Sequence, residues 1–157
     1  LHRQLQRAPV GEVNVALAMR AARAVVGGEG NGGVILPELH LGRDAPLGVA
    51  LILQMLVNAE SSLGAMVAKY PRYTIIKEKL DRPAAPLDAV YAALRAAFPD
   101  ADADTQDGMR LAWPGRWVHI RPSGTEPIVR VIAEAGSADA ARALVDRARE
   151  LLAQLTS

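Results

Sequence analysis

Between Arg121 and Pro127 the sequence reads Arg-Pro-Ser-Gly-Thr-Glu-Pro, a run that gathers groups able to hold an anion. Arg121 offers a planar fork of donors, and Ser123 and Thr125 add hydroxyls whose direction can adjust. Gly124 leaves its amide open to close approach, and the flanking prolines limit wandering. Successive amides in so tight a turn form a concave nest, and phosphate suits the whole set. The same residue types also make an ordinary polar hairpin turn. Composition alone leaves the two readings level.

A second group lies in Gly27-Gly-Glu-Gly-Asn-Gly-Gly33. Glu29 is an ionised acceptor with two oxygens and Asn31 supplies both donor and acceptor, a pair that fits a vicinal diol. A glycine loop with a purely structural role is the competing reading. Gly28, Gly30 and Gly33 also fit the spacing of a dinucleotide fingerprint, but the context excludes it. Such a turn must open a helix, whereas Val34-Ile-Leu-Pro37 is apolar, β-branched and stopped by proline. Glu29 would moreover set a carboxylate in the phosphate cradle.

The elements that must position these loops can be read from periodicity. Val118 and Ile120 alternate with Trp117, His119 and Arg121, and Val129, Val131 and Ala133 alternate with Ile128, Arg130 and Ile132, so two half-buried strands frame Arg121–Pro127. Short strands at Val25-Val26 and Val34-Ile-Leu36 are expected around the glycine loop. Residues Leu1 to Pro9 are irregular. A helix is expected from Glu12, with Val13, Leu17, Met19 and Ala24 as a partial apolar face and Arg20 and Arg23 near its end. Glu12 on this basis is a first-turn acid favoured by the helix dipole. His40 is expected as a solvent or capping group. Asp44 should cap a nearly all-apolar helix through Val57, with Pro46 in its first turn, and a helix apolar on every side should be buried against a sheet. Ser61 or Ser62 caps a short helix carrying Leu63, Met66 and Val67, and a domain boundary falls at Tyr70-Pro71.

Beyond it, Tyr73–Ile76 reads as a strand, and Leu87, Val90, Leu94 and Phe98 as a helix face. Asp102–Gln106 and Met109–Trp113 read as a hairpin around Asp107-Gly108. Ser137 should cap a last helix with Ala141, Leu144, Val145, Ala148, Leu151 and Leu155 on one stripe and an Arg142–Asp146 pair outside. The expectation is an α/β end piece over 1–71 followed by an α+β domain over 72–157. The latter would have a four-stranded antiparallel sheet with two helices on one face.

Composition narrows the function classes. The chain has 157 residues, half of them hydrophobic and 22% charged, the balance of a folded globular protein. Its formal net charge is +1 and its basic residues are scattered, which speaks against nucleic acid as a partner. There are no cysteines, and His2, His40 and His119 lack zinc-ligand spacing, so no metal is expected on this chain. The longest apolar run, Leu47 to Val57, is short of the roughly 20 residues a membrane span needs. A cytoplasmic location is expected. The chain opens without an initiator methionine on a polar segment, as a piece of something longer would.

Arg121-Pro-Ser-Gly-Thr-Glu-Pro-Ile-Val-Arg130 resembles the phosphate-binding loop in the last domain of the α-D-phosphohexomutases, nearly word for word. Gly28-Glu-Gly-Asn-Gly-Gly33 resembles the family's sugar-binding loop, in which Ser is common where Asn31 stands and His where Gly33 stands. The imidazole contact is thus missing, and the hexose is left open. The resemblance implies interconversion of hexose or hexosamine 1- and 6-phosphates through a bisphosphate intermediate. It implies phosphate contacts from Arg121, Ser123, Gly124 and Thr125, and sugar contacts from Glu29, Asn31 and Glu12. It also implies a phosphoserine and a Mg²⁺ loop, neither of which this sequence contains, so both are expected in N-terminal domains. This chain would bind no cofactor and would carry recognition without catalytic groups. A non-catalytic sugar-phosphate binding or regulatory module, using the same residues, is the alternative.

Overall fold

A computed structural model describes residues 5–30 and 32–155 and divides the chain into two compact units, Leu1–Tyr70 and Pro71–Ser157. The first unit begins with helix α1 (Glu12–Ala22), whose only buried residue is Met19. Strands β1 (Gly27–Gly28) and β2 (Val34–Ile35) pair antiparallel around the glycine loop. The expected strand at Val25-Val26 is displaced to the two glycines, and both valines lie more than half exposed. Asp44 caps α2 (Ala45–Asn58) by accepting from the Leu47 amide, and Ser62 caps α3 (Leu63–Val67) in the same way from Ala65.

The expected burial of α2 is not seen. No residue of this helix is buried among the described residues, and Val49, Leu53 and Val57 are 59%, 57% and 71% exposed. The reason lies in what surrounds the helix: the unit's sheet has two strands of two residues each, too little surface to cover fourteen helical residues. Among the described residues, Met19 and Ile35 are the unit's buried hydrophobic side chains.

The second unit has the expected α+β class, but its sheet has five strands, not four. β3 (Thr74–Asp81), β4 (Asp102–Asp104), β5 (Met109–Trp113), β6 (Arg116–Pro122) and β7 (Ile128–Ala135) lie in the order β3-β7-β6-β5-β4, all antiparallel. The additional strand is the short edge β4, the first arm of the Asp107-Gly108 hairpin. β3 also runs well past Ile76, because Lys77, Lys79 and Asp81 alternate outward with Ile76, Glu78 and Leu80 inward. Helices α4 (Leu87–Ala97) and α5 (Ala138–Gln154, capped by Ser137) supply Val90, Leu94, Leu144, Val145, Ala148 and Leu152 to one core with Met109, Leu111, Val118, Ile120, Val129, Val131 and Ala133. Burial of this apolar area is the main stabilising term.

One surface expectation is corrected. Arg142 and Asp146 do not pair along α5: Arg142 and Arg149 both reach Glu78 on β3, while Asp146 accepts from Arg149 Nη1 at 2.7 Å. A carboxylate between two guanidiniums outcompetes a solvated i,i+4 pair.

Candidate functional site

The loop 123–127 is the turn of the β6–β7 hairpin. Ile120 and Val129, close to either side of it, are each 1% exposed, so the loop is anchored by fully packed strands. The Ser123 amide donates to the Ile128 carbonyl at 2.9 Å, and the Ser123 Oγ accepts from the amides of Thr125 and Glu126 at 3.4 and 3.3 Å. Arg121, Pro122, Ser123, Gly124, Thr125 and Arg130 line a cleft of about 200 Å³. The four residues expected to hold phosphate therefore share one concavity, and Arg130 joins them.

The strand register adds a stronger feature. Lys79, Arg130 and Arg121 are direct partners across β3, β7 and β6, on the sheet face away from the helices. Like charges facing each other across strands are destabilising. Two acids partly compensate: Glu126 lies 3.5 Å from both Lys79 and Arg130, and Asp107 Oδ1 accepts from Arg121 Nε at 2.8 Å. Three cations against two acids leave a net positive row at the mouth of the loop.

Asp107 was legible only as a turn residue. Its place under Arg121 depends on Gly108, where φ is +81° and an added Cβ would lie 2.5 Å from the Ile120 carbonyl oxygen. A side chain there is strained twice over, by conformation and by contact. The same turn also meets His119, whose Nε2 contacts the Asp107 carbonyl.

In the first unit, Glu29 is mostly enclosed. Its Oε1 accepts from the Gly11 amide at 3.2 Å, and its Oε2 lies 3.2 Å from Arg43 Nη1. Glu12 holds the other side of the same arginine, accepting from the Arg43 amide at 2.9 Å and from Arg43 Nε at 3.0 Å. These bonds, the backbone one foremost, hold the Glu12 carboxyl below the ordinary glutamate range. His40 serves the α2 cap: its Nδ1 accepts from the Gly42 amide at 3.1 Å, which leaves the proton on Nε2 to be donated to Asp44 Oδ2 at 3.0 Å. The Leu47 amide, then His40, lower the Asp44 carboxyl as well. Glu12, Gly32, Gly33, Arg43, Asp44 and Ala45 line a cleft of about 440 Å³. Asn31 lies outside the described residues. Sequence reasoning missed Arg43, because its neighbour Asp44 drew attention as a cap.

Among the described residues no group of three or more His, Asp or Glu side chains converges in a way that could hold a metal ion. No described helix is long and apolar enough to cross a membrane.

The chain thus consists of an α/β piece carrying a carboxylate loop and an α+β domain carrying a cationic loop. Residues 1–73 match the phosphoglucomutase/phosphomannomutase alpha/beta/alpha domain III, and residues 76–151 match the C-terminal domain of the same proteins. The chain belongs to the phosphoglucomutase/phosphomannomutase family and represents its C-terminal portion. A probable phosphoglucosamine mutase of Methanopyrus kandleri is 37% identical over 91% of the chain and 32% of that protein. A phosphoglucomutase/phosphomannomutase of Thermococcus kodakarensis is 33% identical over 95% of the chain and 33% of its own length. The crystal structure of a phosphoglucomutase/phosphomannomutase family protein from Burkholderia thailandensis superposes with a TM-score of 0.71 at 26% identity, covering 91% of this chain and 31% of that one. The chain thus spans about a third of the length of the relatives it matches.

Proposed function

We propose that this chain is the substrate-recognition portion of a phosphohexomutase, which interconverts the 1- and 6-phosphates of a hexose or hexosamine through a bisphosphate sugar. Residues 1–71 are its sugar-reading part and residues 72–157 its phosphate-reading part. The observation that carries the reading is the cross-strand row Lys79–Arg130–Arg121 at the mouth of the loop, a like-charge arrangement that an anion would relieve. Arg121, Ser123, Gly124 and Thr125 hold the phosphate that is not reacting. Arg121 presents its fork and the hydroxyls and amides of the turn close around the oxygens.

Glu29 and Glu12, with Asn31, read the sugar hydroxyls. A carboxylate has about four lone-pair sites, so a hydroxyl can share an oxygen already bonded to protein. A loop that holds whichever phosphate is not reacting tolerates both substrate orientations, which suits a reaction in which the sugar must turn over and present its other phosphate. Phosphoryl transfer itself depends on positioning and charge stabilisation. In the complete enzyme a serine nucleophile and a Mg²⁺ would supply the transfer chemistry, and none of the described residues proposed as recognition groups would hold the ion.

Assays with hexose 1-phosphates and a bisphosphate activator test the proposal. The complete protein should turn them over, and the 157-residue chain by itself should not. Turnover by the purified chain, or none by the complete protein, contradicts the reading. In the complete protein, Glu29→Gln should lower kcat/KM by roughly ten- to a hundredfold, the loss expected for a hydrogen bond to a charged group.

A further inference from the structure

We propose that Arg43 is a sugar-contacting residue of the subsite held by Glu12 and Glu29, and that Gly33 is a glycine in order to make room for it. The inference rests on the sugar-loop reading above and adds to it a residue and a coupling. An added Cβ at Gly33 would lie 2.3 Å from Arg43 Cδ and 2.8 Å from its Cγ, so the arginine stem occupies the space a side chain at position 33 would need. The stem cannot simply swing aside, because its head is fixed at both ends: Nε and the backbone amide on Glu12, Nη1 on Glu29.

The consequence is chemical. A guanidinium has five N–H donors in a rigid fork. Here the Nε and Nη1 edges are engaged by the carboxylates, while Nη2 has no protein partner among the described residues. Arg43 lines the open cleft beside Gly32, Gly33 and Glu12, and its side chain is 42% exposed. The cleft therefore presents an acceptor on Glu12 beside a fixed donor on Arg43, with the mostly enclosed Glu29 holding the arginine from behind. Adjacent sugar hydroxyls, each both donor and acceptor, are complementary to such an alternation.

The complete protein is the system for the test, with kcat/KM for a hexose 1-phosphate as the readout. Arg43→Gln and Gly33→Ala should each lower it by roughly ten- to a hundredfold, the first by removing the guanidinium and the second by displacing it. The double variant should be no worse than the poorer single one, because both changes remove the same interaction. Arg43→Lys should not restore the activity, since a compact ammonium on a flexible stem does not reproduce the rigid planar fork that spans Glu12 and Glu29. Guanidinium ion added to Arg43→Ala should recover part of the loss, which a merely structural role would not allow. If Glu29→Gln falls while Arg43→Gln and Gly33→Ala stay within about twofold of the parent, the sugar-loop reading stands and the role of Arg43 is overturned. If Glu29→Gln is also unchanged, the subsite itself is wrong and this inference falls with it. Losses that follow the melting temperature and resist guanidinium rescue overturn it as well.

Discussion

Loop 123–127 of the second unit is framed by strands of seven and eight residues that bury Val118, Ile120, Val129, Val131, Ala133 and Ala135, whereas loop 29–33 of the first is framed by strands of two. The first of these loops inherits its geometry from packing. The second owes its geometry to polar contacts: the Glu29 amide to the Gly33 carbonyl at 3.0 Å, Gly11 on Glu29, and Arg43 between two acids. Packing fixes positions at all ionic strengths, while exposed ion pairs weaken with salt. One chain thus shows two ways of fixing polar groups on a loop, one set by a core and one by a charge network.

The contrast can be broken most severely through the core. Leu94→Ala empties a fully buried site in the second unit and should cost about 2–5 kcal/mol, whereas Leu53→Ala on the exposed α2 should stay within about 0.5 kcal/mol in this chain. Urea unfolding of both variants checks this, and equal losses would mean that the first unit has a core like the second. Gly108→Ala comes next. It forces a left-handed residue and a backbone clash, so a loss of about 1–3 kcal/mol should appear in the same experiment, accompanied by weaker phosphate binding.

A smaller effect should follow Asp107→Ala, which frees Arg121 Nε without touching the loop. Phosphate affinity should rise by about three- to tenfold in calorimetric titration, because an acid that offsets the cationic row is gone and Nε is free to donate, with little change in melting temperature. The smallest effect concerns pH. Arg149, then Arg142, hold the Glu78 carboxyl below the ordinary glutamate range. Because the folded value is the lower one, this stabilisation is present above the unfolded value and is lost as pH falls through the folded one. The urea midpoint should therefore decline as pH drops below about 4.3, and Glu78→Gln should flatten that decline.

Much of the second unit was legible in the sequence because its strands alternate strictly and its turns carry Asp-Gly and Pro-Ser-Gly signals. The Asp107-Gly108 signal marked Asp102–Gln106 as a hairpin arm, yet the four-strand expectation left it out of the sheet, where its first three residues pair at the edge. The apolar run Leu47–Val57 announced a helix correctly and its burial wrongly: hydrophobicity states what a surface prefers, and the unit around it decides whether a cover exists. At the loops, the residue types of Arg121, Ser123 and Thr125 spoke for themselves. Arg43, Asp107 and the Lys79–Arg130–Arg121 row were silent because each depends on partners distant in sequence, which a linear pattern does not bring together.

The central claim is that Arg121, Ser123, Gly124 and Thr125 hold a phosphate. Titration of the 157-residue chain with inorganic phosphate, followed by the amide resonances, tests it most directly. The account predicts shifts centred on residues 121–125 with millimolar affinity, about 4 kcal/mol at an open and screened site. Arg121→Lys should weaken the response although the charge is kept, since a point ammonium does not reproduce the fork. Shifts that map instead to Arg72, Arg82 or Arg149, or an Arg121→Lys chain that binds as the parent does, would contradict the claim and leave the loop an ordinary hairpin turn.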